Sequence, residues 1–223
     1  NHGYQANHGE INGFQTGDER RVDMNFRNKN TSHLLKLGID YFIDNLNTIS
    51  FYTNQNQFFA SGNSTIFVDN FTKTDALQNN NNKNDNPSET YNLDYKHKFK
   101  KEGENIEFEA NFNKNVADEN SNFNTQLPLN YTDINDSTNN NSNIKIHLDY
   151  TNPFKNNSKM DAGIKTSYTN TDNDAVYMIT QNDITTPNDN LSNHFKYNEM
   201  INAAYINYTK GFKRFDLQAG LRF

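Results

Sequence analysis

Ile144-Lys145-Ile146-His147-Leu148-Asp149-Tyr150 decides how this chain folds. Successive side chains of a β-strand point to opposite faces, so Ile144, Ile146, Leu148 and Tyr150 share one side while Lys145, His147 and Asp149 share the other. The same split recurs at Leu35/Leu37/Ile39/Tyr41 against Lys36/Asp40, and at Ile106/Phe108/Ala110/Phe112 against Glu107/Glu109. It returns at Met160/Ala162/Ile164/Tyr168 against Asp161/Lys165, and at Phe215/Leu217/Ala219/Leu221/Phe223 against Asp216/Arg222. Such a ribbon needs an apolar medium on one side and a wet, polar space on the other. A membrane barrel supplies both.

Energetics separate lipid from water on the uncharged side. A Lys or Arg at the bilayer midplane of a barrel's outer face costs about 2–4 kcal/mol. Over their central parts, the apolar faces of these segments hold no Lys, Arg, Asp or Glu; His97 and Asn202 are their weakest members. A soluble sandwich would need aliphatic residues on its inner faces, and the other parity here is too charged for that. The reading therefore places Leu35, Leu37, Ile39, Ile106, Phe108, Phe112, Ile144, Ile146, Leu148, Ile164, Leu217 and Leu221 against lipid. It turns Lys36, Asp40, Glu107, Glu109, Lys145, His147, Asp149, Asp161 and Lys165 towards the lumen.

Composition fits this reading. The 223 residues are only 33% hydrophobic, a figure that suggests disorder, but 13% are aromatic and these sit inside the alternating segments. A barrel with a wet interior needs apolar residues only at every second strand position. Cysteine is absent, which excludes disulfides and Cys-based metal or redox sites. A net charge of −6 with interspersed signs leaves no basic stripe, so nucleic acid is not an expected partner. No run reaches the roughly 18–20 apolar residues of a membrane helix, and no signal peptide is visible.

Short turns near 44–47, 101–105, 152–158 and 210–214 recur at roughly 50–60 residues, the spacing of two membrane strands and one long loop. The expected strands are 33–42, 48–57, 90–100, 105–114, 143–151, 159–170, 197–209 and 215–223. A further one lies at 21–27, with Val22, Met24 and Phe26 on its apolar face. Residues 64–72 read as a loop hairpin or a strand extension. The polar stretches 60–87, 116–141 and 172–194 read as long loops, holding Pro87, Pro128 and Pro187, while Pro153 falls in a turn. Aromatics such as Tyr41, Phe99, Tyr150, Phe154, Tyr208 and Phe212 gather beside the short turns, as in an interfacial girdle. The fold expected is all-β: an antiparallel up-and-down transmembrane β-barrel segment of about 8–10 strands, with short periplasmic turns and long extracellular loops. It occupies 1–223 as one unit, with 1–20 a poorly defined lead-in.

No chemistry is legible beyond this. The histidines do not cluster at ligand spacing, and Asp172-Asn173-Asp174 lacks the glycine and terminal glutamate of a calcium loop. Sequons such as Asn63-Ser64-Thr65 arise by chance in an Asn-rich chain. Glu107 and Glu109 share a face, but a charged wall accounts for them without acid/base work. No catalytic residue, metal site or cofactor is expected, and the chain is read as a non-enzyme.

Several phrases resemble the β-barrel region of TonB-dependent receptors from Bacteroidetes, the outer-membrane β-barrel family of that phylum. They are Leu35-Lys36-Leu37-Gly38-Ile39-Asp40-Tyr41-Phe42, Leu93-Asp94-Tyr95, Leu148-Asp149-Tyr150-Thr151-Asn152-Pro153 and Leu217-Gln218-Ala219-Gly220-Leu221-Arg222. The resemblance covers roughly 30–223. It implies a plugged barrel of about twenty-two strands in the cell outer membrane, of which this chain is a segment without plug or TonB box. It further implies a plug domain and the TonB system as partners, outer-membrane lipid around the barrel, and an extracellular ligand of unstated identity. Energised nutrient uptake is the function so implied; a small closed barrel acting as a structural or adhesive surface protein is the alternative.

Overall fold

Tight turns built by Asn, Asp and Gly fold this chain into successive hairpins. In the computed structural model, the backbone is described for residues 2–15, 18–70, 74–127 and 129–223, and the side chains from residue 21 onward, excluding 70–73 and 128. Asp44 caps the first short turn: its Oδ1 accepts from the backbone N–H groups of Leu46 (2.7 Å) and Asn47 (2.8 Å). Gly103 (φ 80°) reverses the next, and Asn156 (φ 70°) with Asn157 (φ 54°) the third, all in the left-handed region.

The strands are β1 (His2–Gln15), β2 (Asp18–Phe42), β3 (Asn47–Asn70), β4 (Ala76–Lys98), β5 (Asn105–Leu127), β6 (Tyr131–Phe154), β7 (Ser158–Gln181), β8 (Ile184–Pro187), β9 (Asn193–Gly211) and β10 (Asp216–Arg222). They form one antiparallel sheet in the order β1-β2-β3-β4-β5-β6-β7-β9-β10, with β8 a short extra partner of β7. This is an up-and-down all-β sheet. Among the described residues it stays open: β1 pairs only with β2, and β10 pairs only with the lower part of β9.

The strands are far longer than a membrane needs. A 23-residue strand such as β5 extends about 75–80 Å, whereas about 9–11 residues cross a bilayer. The expected strands are the lower halves of these elements. Most of the described residues in the polar stretches 60–87, 116–141 and 172–194, read as loops, continue the same ladders as paired strand, because backbone hydrogen bonds need no hydrophobic side chain. Residues 64–70 are the strand extension rather than a loop hairpin, and the lead-in supplies β1.

Two further expectations are corrected. Residues 21–27 are the far end of β2, not a separate strand. By register, Val22, Met24 and Phe26 share the face of Lys36 and Asp40, opposite Leu35 and Leu37. Pro87 lies inside β4, paired with Gln57 of β3. The β4–β5 pairing skips from Asp85/Asp118 to Ser88/Asn115 around it, as a residue without an N–H requires. Pro153 ends β6 and Pro187 ends β8; Pro128 lies outside the described residues.

No hydrophobic residue among those described is buried. The apolar parity instead forms four rows that cross the sheet. One runs Tyr41, Ile49, Tyr95, Phe108, Leu148, Ile164, Ala204 and Phe223. Another runs Ile39, Phe51, Leu93, Ala110, Ile146, Thr166 and Asn202, where Thr166 Oγ1 bonds Asn202 Oδ1 at 2.7 Å. Ile39 (67% exposed), Ile164 (59%) and Leu221 (64%) have no covering layer. Of the five buried residues among those described, Gly62, Asn92, Ser121 and Thr125 lie on the opposite, polar face, which is therefore the concave one, while Ser158 sits at the third short turn.

Candidate functional site

The concave face between β4 and β10 gathers the charges. Across one row, register aligns Lys96, Glu107, Asp149, Gly163, Tyr205 and Arg222; across the next, Asp94, Glu109, His147, Lys165 and Ala203. Lys96 pairs with Glu107 across β4 and β5. His147 Nε2 lies 3.2 Å from Glu109 Oε2 and 3.5 Å from Asp149 Oδ2. The Lys96–Glu107 and Glu109–His147 contacts join neighbouring strands about 4.8 Å apart, the separation at which cross-strand pairs interact, while His147–Asp149 runs along β6.

Gly163 makes the longest reach possible. Tyr205 Oη donates to Asp149 Oδ1 at 2.6 Å, although β7 lies between their strands. A Cβ at Gly163 would sit 2.3 Å from Asp149 Oδ1 and 2.5 Å from Tyr205 Cε1. The missing side chain is the space through which the phenol crosses. Beside it opens a depression of about 760 Å³, lined by His147, Asp149, Lys165, Tyr205, Asn207 and Arg222 among others.

Of the expected luminal residues, Glu107, Glu109, His147, Asp149 and Lys165 come together here. Lys145 aligns with Asn111 one row further along. Asp161 lies nearer the short turns, bonded to Thr151 Oγ1 (2.9 Å) and Lys159 (2.9 Å). Lys36 and Asp40 share the face but stand on β2, three strands from β5. Asp94, Lys96 and Tyr205 join the site without having been singled out, and Arg222, read only as a residue of the charged parity, lines it too. Asp94 and Lys96 were legible from their parity against Leu93 and Tyr95, while Tyr205 required the register across β7. The twelve apolar residues of the other face all fall on one side.

That side ends in aromatic belts. Near the short turns, Phe99 meets Tyr150 edge-on (6.2 Å between centroids), Phe154 lies 6.5 Å from Tyr208, and Phe212 stacks on Phe215 at 4.8 Å. At the other margin Tyr91 stacks on Phe112 (6.2 Å), with Tyr168 in the same row. Ile144 to Phe154 is about 34 Å along the strand, which a typical tilt of ~40° reduces to about 26 Å. That is the height of a barrel's lipid-facing band. The next row beyond it carries Glu89 and Lys114, the first charges on this face.

The outer membrane protein beta-barrel family model matches residues 97–223, more than half of the chain. The chain belongs to that family. It is an outer-membrane protein, and the charged depression, with β6, β7, β9 and β10 that line it, falls inside the matched barrel region. No curated protein matches it. Among solved structures, the ferric yersiniabactin uptake receptor FyuA of Yersinia pestis is 9% identical with a TM-score of 0.49. That similarity covers 98% of this chain and 40% of the receptor, so the chain spans less than half of that protein. The translocator domain of autotransporter NalP from Neisseria meningitidis is 10% identical, with a TM-score of 0.15 over 98% of this chain and 84% of that one.

Proposed function

We propose that this barrel segment belongs to a TonB-dependent receptor and that its concave face is the lumen wall, without enzymatic activity. The observation that carries the reading is the Lys96–Glu107, Glu109–His147–Asp149 and Tyr205–Asp149 network, fixed on the face opposite four apolar rows. A channel for free solutes needs only a wet interior. A receptor's lumen must also hold a plug domain and release it when the TonB system pulls, and charge pairs across a wet surface suit such reversible contact. Lipid then surrounds the apolar rows, and nutrient enters from the end opposite the short turns.

The open edges support this reading. Lipid cannot satisfy unpaired backbone groups, so the lower part of β2, past the end of β1, and β10 each require a further neighbour in the membrane. The rest of a larger barrel would provide both.

The test is uptake by the full-length receptor carrying Glu107→Lys and Glu109→Lys. Normal assembly with altered uptake or plug retention is the expected result. Unchanged uptake with normal assembly would remove the luminal role. A chain that assembles as a closed small barrel, and whose host takes up nothing through it, would favour the surface-protein alternative.

A further inference from the structure

Beyond the band, the distribution of charge reverses. Where β9 rises past Met200, its concave-face residues are Glu199, Tyr197 and Phe195, and its opposite face carries Lys196 and His194. β7 follows suit: Thr169, Thr171 and Asn173 are concave, while Asp172 and Asp174 are convex. The convex groups pair among themselves, Asp172 with His194 (2.7 Å) and Lys196 (3.1 Å). On the concave side of the projecting sheet the charged residues among those described are Glu119, Asp133 and Glu199; the remainder are mostly carboxamides, hydroxyls and rings. Solvation alone asks for no such difference between two wet faces.

Phe195 and Tyr197 form the distinctive feature. Their rings are nearly parallel, 10° apart with centroids separated by 6.4 Å, and both are about half exposed. Neighbouring strands extend this platform with hydrogen-bonding groups. Tyr197 aligns with Thr171 and Asn141, whose Nδ2 donates to Thr171 Oγ1 at 2.8 Å. Glu199 aligns with Thr169 and Asn143. Asn143 Nδ2 donates to Thr169 Oγ1 at 2.7 Å, while its buried Oδ1 finds no partner among the described residues. An orphaned acceptor of this kind asks for a donor.

We infer that this patch binds a neutral oligosaccharide, with successive sugar rings laid on Phe195 and Tyr197 and their hydroxyls bonded to the amide and hydroxyl rows of β7 and β6. The inference rests on the concave face being the lumen of a receptor and names the class of solute it admits. A sugar ring offers an apolar C–H face to an aromatic plane and a rim of groups that both donate and accept. Each half of that demand is met here: two parallel planes about one i, i+2 step apart, and side chains 5–10 Å away across two strands. Glu199 accepts from hydroxyls without needing a cationic ligand. A peptide or metal chelate would bring charges that this wall does not answer.

Saturation-transfer NMR on the full-length receptor in detergent micelles tests the inference, with maltohexaose, cellohexaose, xylohexaose and mannohexaose as probes and hexagalacturonate and an acidic hexapeptide as controls. At least one neutral hexamer should receive saturation. The signal should fall at least tenfold in Phe195→Ala/Tyr197→Ala and persist in Tyr197→Phe. No transfer to any neutral hexamer, transfer only to the charged controls, or full signal in the double alanine variant would overturn it. Far-UV circular dichroism and partitioning into lipid vesicles are followed for each variant. A full-length receptor that is β-rich and lipid-bound yet binds no sugar refutes this inference alone, whereas its failure to enter lipid refutes the barrel reading beneath it.

Discussion

At the scale of single residues, Ile164 separates lipid from water most cleanly. It stands at the middle of the band, 59% exposed. Ile164→Arg should cost about 2–4 kcal/mol in chemical denaturation from lipid vesicles, because the charge would enter hydrocarbon. An exposed position in water would tolerate the same change within about 0.5 kcal/mol. Gly163 offers a second test. Gly163→Ala places a methyl group between Asp149 and Tyr205, so it should destabilise by about 1–3 kcal/mol, and Tyr205→Phe by about 0.5–1.5 kcal/mol. If Gly163→Ala were neutral, the phenol would not cross there. Above the membrane, hydrogen bonds from His194 and Lys196 hold the Asp172 carboxyl below the usual carboxylate range. A depressed acid stabilises the fold above its unfolded pKa and loses that contribution as pH falls through the folded value. Between pH 5 and pH 2, Asp172→Asn should therefore lose less thermal stability than the unsubstituted chain. Equal losses would show that the His194 and Lys196 contacts contribute nothing.

The elements show where the sequence is informative and where it is silent. In the lower halves, alternation of Ile144, Ile146 and Leu148 with Lys145, His147 and Asp149 declares both strand and face, because lipid penalises a misplaced charge. The upper halves meet water on both sides. There, Asn79 to Asn86 of β4 can point either way without penalty, so no period survives in the residue types. Their pairing is inherited from the register set below and held by the backbone ladder, with Gly62 giving room for Asn28 and Asn82 to converge on one face. The charged site was half legible for the same reason. Parity identifies Glu107 and His147, but only knowing which residues lie abreast reveals Tyr205. Hydrogen exchange can distinguish projecting strand from loop. Amides of residues 114–124 and 133–142 should exchange at least a hundredfold more slowly than an unstructured chain. Rates near those of a random coil would return these stretches to loops.

For the molecule as a whole, the open sheet sets the next question. Half of the β10 amide groups point away from β9 and have no strand beside them among the described residues. In the isolated chain in micelles they should exchange quickly, and in the full-length receptor at least tenfold more slowly as a neighbour pairs with them. Equal protection in both would mean that the free edges of β2 and β10 already meet. The lack of any buried hydrophobic residue among those described has a consequence for biogenesis. Collapse in an aqueous compartment would gain this polypeptide almost nothing, since no interior awaits its side chains. Its folding free energy becomes available only on contact with acyl chains, so it should travel unfolded and acquire its shape at its destination.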